Sequence, residues 1–444
     1  MFFFGFYIIF AVPNSICAMI QEIKIKNFLS FKDEVTFSFV ASNDKFAEDS
    51  QVVRINENTR LLRLAVLYGY NASGKTNLLS IFDFLYDFWF YKPKDLDEKT
   101  GCIPFKLDKV TPGESSRIEL VFYVEDTKYK YQLELDQRQV YLERLYYYKT
   151  TQPIKLFERH LKNGQSIIDF NLKVSNIVKE RIGVYCLKNM SFFAARNQIN
   201  ASIPPIDAAM EWMKTKVMAT IFPWYDLTRY AKRKTADNKE LVTHILQFLR
   251  EADFNITNLR TELINKPLPD SAIDGLVNPD IPLEAERERI KKEISIKEFR
   301  TYFEHTVENE RGQESYLLTY DEESNGTKRT LGIETVLFHA IHNNAFLAID
   351  EIETSLHPRL QEKILFEFLK AHSRSQILVT THNDGLLDLV DDLIRKDSVW
   401  FTEKKKSGVT DLYKLTDFTG VNRLSSIREA YQNKRFGATM NEPF

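Results

Sequence analysis

Three features of this sequence predict an α/β fold. An apolar run, Leu61-Leu62-Arg63-Leu64-Ala65-Val66-Leu67, leads straight into a glycine-containing loop, and Asn77 to Leu85 after it carry helical apolar spacing. A second apolar run, Ala345 to Ile349, ends in the carboxylates Asp350 and Glu351. Residues 103–150, with much of 20–66, read as strands: Ile118, Leu120, Phe122 and Val124 alternate with polar positions, turn at Glu125-Asp126-Thr127, and resume at Tyr129, Tyr131, Leu133 and Leu135.

The loop is Gly69-Tyr70-Asn71-Ala72-Ser73-Gly74-Lys75-Thr76, a match to G-x-x-x-x-G-K-[ST] set between strand and helix. In that setting backbone N–H groups and the positive helix end face a phosphate chain, Lys75 reaches its β and γ oxygens, and the Thr76 hydroxyl ligates Mg²⁺. A chance glycine turn is the alternative, and the second apolar strand supplies what such a turn would lack. There Asp350 can hold Mg²⁺ while Glu351 orients or deprotonates an attacking water. ATP and Mg²⁺ are therefore the expected ligands, and hydrolysis the expected reaction.

From Lys75 to Glu351 is 276 positions, more than a compact switch GTPase or a ring-forming motor domain places between these elements. Before the second strand, Ser324-Asn325-Gly326-Thr327 opens a helical stretch running from Leu331 to Ile341; a serine hydroxyl, backbone N–H groups and a helix start there can make an anion site, or simply cap a helix. After it, Glu353 to Pro358 starts a helix from Arg359 to Lys370, and Ser375 to Thr381 reads as a strand ending at His382. A histidine at that strand end can hydrogen-bond a γ-phosphate or serve as a polar cap.

This order of motifs resembles the ABC-type ATPase heads of the SMC and OLD relatives, and so does the opening Met19 to Phe31 with its x-I-x-I-x-N-F-x-S-F pattern. The closing segment Tyr431 to Ala438 resembles that of bacterial RloA- or AbiL-type ATPases found with phage-defence and abortive-infection systems. The resemblance covers most of residues 19–444. It implies an ABC-type P-loop head with an antiparallel β lobe and an inserted, mainly helical lobe. It further implies that Ser324 to Thr327 act as a signature loop engaging the γ-phosphate held by a second copy, with Glu353 to Pro358 as a D-loop at the seam. Two departures stand out: the signature loop is shorter than the transporter form, and no glutamine is placed as the Q-loop magnesium ligand beyond the candidate Gln198.

With 444 residues, 43% hydrophobic and 27% charged, the chain can bury a large core. A net charge of −2 does not advertise nucleic-acid binding, although local patches remain open to it. The three cysteines, Cys17, Cys102 and Cys186, show neither metal spacing nor a disulfide framework, which suits a reducing cytosol. Residues 1–18 form an apolar extension without Lys or Arg, too short to span a bilayer at ~20 residues. A loosely packed extension is preferred over a membrane tether, and a cytoplasmic location with no membrane partner is expected.

The expected organisation is then 19–203 as the N-terminal half of the head, 204–306 as the insert, and 307–444 as the C-terminal half. Within the insert, Ala208 to Phe222, Lys239 to Ala252 and Glu284 to Lys297 read as helices, and no heptads are sustained. The cluster Arg229, Lys232, Arg233, Lys234 is a solvated helix face or a contact for nucleic acid or an acidic partner. Tyr146 to Tyr148 cover a sheet or stack bases, and Asp384, Asp388, Asp391 and Asp392 read as one face of an amphipathic helix rather than a metal site.

Only 62 residues follow His382, too few for the nuclease domain of OLD-type relatives. The function expected is an ATP-hydrolysing switch built from two heads, which restrains or releases a separate nuclease or toxin in phage defence. A DNA repair or recombination ATPase acting directly on DNA is the alternative, and a transporter motor subunit a third reading.

Overall fold

The computed structural model describes residues 18–439 apart from 253, 268–269, 275, 277–283, 285–286, 289 and 291–294. The apolar extension expected at 1–18, with Cys17, thus lies almost wholly outside the described residues. The chain divides into two compact units: one holds the sequence up to Pro223 with Ala340–Thr354 and Leu365–Phe444, the other Trp224–His339 with Ser355–Ile364.

The first unit contains two large sheets. The seven-stranded one comprises β1 (Ala18–Lys26), β2 (Val35–Ser38), β6 (Ser116–Val124), β7 (Thr127–Leu135), β8 (Val140–Tyr148), β9 (Ile154–Lys162) and β10 (Gln165–Phe170). Its order is β10-β9-β8-β7-β6-β1-β2, antiparallel throughout. The β6–β7 hairpin turns where the sequence placed it, with Glu125 at φ +54°. A small ribbon, β3 (Val52–Asn56) with β4 (Thr59–Leu62), precedes β5 (Leu64–Tyr68).

The second sheet carries the site. It adds β14 (Phe346–Ile349), β15 (Gln376–Thr381), β16 (Val399–Lys404) and β17 (Thr410–Lys414) to β5, in the order β14-β15-β5-β16-β17. The first four run parallel and β17 antiparallel. All five residues of β5 are buried, as a strand covered on both faces requires. The run from Leu61 to Leu67 is two strands rather than one, because Arg63 interrupts it: its guanidinium is buried and donates to the carbonyls of Ser50, Phe368 and Leu369 and to the Ser373 hydroxyl.

After the glycine loop the helix Lys75–Phe90 buries Leu78, Leu79, Ile81, Phe82, Leu85, Phe88 and Trp89. Phe82 meets Phe346 of β14 at 4.6 Å between ring centroids, and Trp89 stacks on Phe193 at 3.8 Å and meets Tyr131 of β7 at 4.9 Å. The same helix thus ties both sheets into one core, and truncating Trp89 to Ala would cost about 3–5 kcal/mol. At the chain's end, the helix Ile427–Gln432 and Phe436 close over β16 through Phe401, whose ring stacks on Tyr431 and Phe436 at 5.6 Å from each.

Helix spacing predicted a helix from Ala208 to Phe222. The structure ends it at Lys216, and Val217 to Ile221 instead bridge β14 in parallel: Met218 N donates to the Phe346 carbonyl and Ile221 N to that of Ala348. An open hydrogen-bonding edge on β14 outweighs helical propensity there.

The second unit begins at Trp224, so the helix Pro204–Lys216 belongs with the first. Helices Thr228–Asp237 and Lys239–Glu251 pack on a three-stranded antiparallel sheet of β11 (Ile256–Pro267), β12 (Ser295–Asn309) and β13 (Gly312–Thr319). A mainly helical insert is what the sequence predicts; that expectation misses this sheet because exposed positions of its strands carry the apolar residues Leu263, Ile296, Val307, Tyr316 and Leu317, which break the polar–apolar alternation. Glu284 to Lys297, read as an exposed helix, falls largely outside the described residues, and its end from Ser295 is strand. Ala231, Leu241, Ile245, Leu249, Leu259, Phe303 and Leu331 form this unit's core.

Candidate nucleotide site

The turn from β5 into the helix Lys75–Phe90 depends on two glycines. Gly74 sits at φ +112°, and a Cβ on it would lie 2.5 Å from Thr410 Oγ1. Gly69 is extended, yet its Cβ would lie 2.4 Å from Ser73 Oγ and 2.5 Å from Thr402 Oγ1. Backbone therefore runs where any side chain would collide. Asn71 and Ala72, the latter at φ +62°, form the exposed crest, while Ser73 and Lys75 are buried beneath it.

A row of hydroxyls fixes the loop from below. Ser73 Oγ lies 2.7 Å from Thr402 Oγ1, and Thr410 Oγ1 lies 2.8 Å from both the Ser73 carbonyl and the Ser30 hydroxyl. Asn77 donates to Ser30 Oγ at 2.7 Å. Thr402 and Thr410 carry no sequence motif, whereas Ser30 is the serine of the N-F-x-S-F pattern near the start of the chain, which does not by itself place it under the loop. All three lie on elements far from the loop in the chain.

Lys75 Nζ donates to the Gly69 carbonyl at 2.8 Å and lies 3.2 Å from His382 Nε2. Burial lowers the Lys75 ammonium to about 8, against the opposing pull of Asp350, Glu351 and Glu353. Thr76 Oγ1 donates to Asp350 Oδ2 at 2.8 Å, and the other carboxylate oxygen, Oδ1, accepts from Thr380 Oγ1 at 2.6 Å. The same Thr380 oxygen accepts from the Glu351 backbone N–H at 2.8 Å, holding Glu351 at φ +48°. Glu351 Oε1 lies 3.5 Å from His382 Nε2.

Five sequence-selected residues, Lys75, Thr76, Asp350, Glu351 and His382, thus converge at the ends of β5, β14 and β15. A hydroxyl and a carboxylate already in contact are a fitting pair of oxygen donors for a divalent cation, and the exposed crest at Asn71 and Ala72 leaves backbone open to an anion.

Ser324, Asn325, Gly326 and Thr327 belong to the second unit. They open the helix Asn325–Asn343, where Thr327 N donates to Ser324 Oγ at 3.0 Å and the two hydroxyls lie 2.9 Å apart. Gly326 is packed closely: a Cβ there would lie 3.4 Å from the Ser355 carbonyl. Two other candidates take different roles. Gln198 donates to the Ala194 carbonyl, and the aspartates read as one face of a helix lie differently: Asp384 opens the 3₁₀ turn Asp384–Leu389, Asp388 lies within it, and both carboxylates pair with Arg428.

Residues 64–170 and 225–388, well over half of the chain, match the family described as "AAA domain, putative AbiEii toxin, Type IV TA system". The chain belongs to this AAA-domain family. Both the phosphate loop and the Asp350 strand of the AAA domain fall within the matched residues. A search of curated proteins gives no match. Among solved structures the AAA-domain chain is similar to the SMC head domain from Thermotoga maritima, with 13% identity and a TM-score of 0.41 over 89% of this chain and 98% of that one. It is also similar to the SmcHead bound to the C-winged helix domain of ScpA, with 12% identity and a TM-score of 0.44 over 90% and 99%. A third is the Smc head domain with an extended coiled coil bound to the C-terminal domain of ScpA derived from Pyrococcus furiosus, at 12%, 0.40, 94% and 98%. Among the described residues, no helix is long and apolar enough to cross a membrane.

Proposed function

We propose that this AAA-domain protein binds and hydrolyses ATP as a switch, two copies pairing head to head around the nucleotide and controlling a separate effector, a nuclease or toxin. The observation that carries the reading is the convergence of Lys75, Thr76, Asp350, Glu351 and His382 at the ends of neighbouring strands, with Lys75 Nζ 3.2 Å from His382 Nε2, that ring 3.5 Å from Glu351, and Thr76 Oγ1 2.8 Å from Asp350. Thr76 and Asp350 would hold Mg²⁺, which when bound neutralises charge on the phosphate oxygens. Lys75 and the loop N–H groups of Gly69 to Thr76 bind the triphosphate. Glu351 accepts the proton of the attacking water, and His382 donates a hydrogen bond to the γ-phosphate oxygens as charge builds there. Ser324 to Thr327 of the paired copy complete the cage from the other side. ATP binding closes the pair and hydrolysis releases it, so occupancy sets whether the effector is restrained.

The toxin–antitoxin wording of the matched family supports a defence role, and the likeness of Tyr431 to Ala438 to RloA- or AbiL-type proteins points the same way. Such a switch works in the cytoplasm, where ATP is held. Glu351→Gln tests it: the variant should bind ATP as the parent does, turn it over at least ~100-fold more slowly, and accumulate as a closed pair. Equal turnover in the two proteins would reject the role of Glu351. ATPase stimulation by DNA, with binding that weakens steeply in salt, would replace effector control with direct action on DNA.

A further inference from the structure

The chain returns to the site immediately after Glu351. Ile352 N donates to the Thr380 carbonyl at 3.1 Å and Thr354 N to the Glu351 carbonyl at 2.9 Å, so residues 351–354 make a tight turn against the end of β15. That turn delivers a further carboxylate: Glu353 Oε1 accepts from the His382 backbone N–H at 2.5 Å. His382 is therefore held twice by one turn, its ring 3.5 Å from Glu351 and its backbone on Glu353.

The second oxygen of that carboxylate, Glu353 Oε2, is buried without a hydrogen-bond partner, and so is the hydroxyl of Tyr68, the last residue of β5. Burial, together with the charges of Tyr431 and Glu353, pushes the Tyr68 phenol well above its ordinary range, so it stays a neutral hydroxyl. A carboxylate oxygen left unmatched in a buried position works against stability. An apolar side chain would serve the fold there at least as well. What Glu353 alone supplies is the acceptor for His382.

We propose that Glu353 is a positioning residue for hydrolysis, pinning the His382 backbone so that the imidazole stays between Lys75 and Glu351. The inference rests on the reading of His382 as a γ-phosphate contact. The role requires an acceptor and not a charge: glutamine would keep a carbonyl toward His382 N. Alanine removes the acceptor and leaves the strand end free to shift.

The test compares wild type, Glu353→Ala, Glu353→Gln, His382→Ala and the double variant E353A/H382A, by ATP turnover and by binding of a fluorescent ATP analogue. Glu353→Ala should lower kcat by about 10- to 100-fold, the scale of a small displacement of a reacting group. KM and analogue affinity should stay within about twofold, because the Lys75 and Thr76 contacts are untouched. Glu353→Gln should restore kcat to within about threefold, and the double variant should be no slower than His382→Ala, since two residues acting as one unit are not additive. Should Glu353→Ala fail to fold, Glu353→Leu, which keeps the bulk and lacks the acceptor, takes its place.

Equal losses with Ala and Gln, additive losses in the double variant, or weaker analogue binding at unchanged kcat would each overturn the proposal. A His382→Ala protein with full turnover would remove the underlying reading of His382, and this inference with it. A wild type that binds the analogue without turning over ATP would do the same to hydrolysis.

Discussion

Thr410 shows what a single hydroxyl does for the phosphate loop. It lies at the first position of β17 and is almost fully buried, and its Oγ1 stands 2.8 Å from the Ser73 carbonyl and 2.8 Å from Ser30. Valine in its place keeps the volume and deletes both bonds, leaving the Ser73 carbonyl without a donor at a cost of about 1–3 kcal/mol. On the proposed reading that this loop holds phosphate, Thr410→Val should weaken ATP binding about tenfold, equivalent to 1.4 kcal/mol, in a titration with a fluorescent analogue. Unchanged affinity would mean the loop is held by its own backbone. The eight residues of the loop were legible because their spacing is local and chemically specific. The buttressing role of Ser30, Thr402 and Thr410 was not, because it is defined only by what folds against each hydroxyl.

The elements show the same division. Strands with clean alternation, β6 and β7, were readable from polarity, whereas Val217 to Ile221 leave the expected helix and bridge β14 in parallel because β14 offers an unpaired edge. Charge inside the antiparallel sheet was equally hidden. Glu143 of β8 and Arg159 of β9 face each other across the ladder, almost wholly buried and 3.0 Å apart. Arg159 also donates to the carbonyls of Leu187 and Met190, and Glu143 accepts from Tyr131 and the Phe192 N–H. Removing one partner strands the other, so Glu143→Ala should destabilise the protein by about 3–5 kcal/mol in denaturant unfolding. A smaller loss would show that water reaches Arg159. Close by, burial pushes the Cys186 thiol up to about 11, as it does Cys102 against the same core. In the native state both should resist iodoacetamide at pH 8, read by peptide mass mapping, and react on unfolding. Because the fold raises both thiols above the ordinary value of about 8.5, their contribution to stability is complete below that pH and is lost as pH climbs toward 11. A melting temperature that rose across this interval would contradict the sign.

At the scale of the whole molecule, the question is whether one copy can complete a site alone. The phosphate loop, Asp350, Glu351 and His382 lie in the first unit, and Ser324 to Thr327 start a helix in the second. If the cage is completed by another copy, a Lys75→Ala chain and a Ser324→Arg chain fail for different reasons. The first cannot grip phosphate, and the second cannot cap its neighbour's. Mixed in equal amounts, about half of the symmetric pairs contain one of each. Each such pair holds one site in which the Lys75 of the arginine variant faces the Ser324 of the alanine variant, both native. The mixture should recover about one quarter of wild-type turnover, from two proteins that are each inactive, provided the two sites fire independently. Obligatory coupling between sites would keep the mixture inactive while it still formed pairs, which analytical ultracentrifugation with ATP would reveal. If the Ser324→Arg chain alone hydrolysed ATP at the wild-type rate, the second copy would contribute nothing at Ser324 and the composite site would fall.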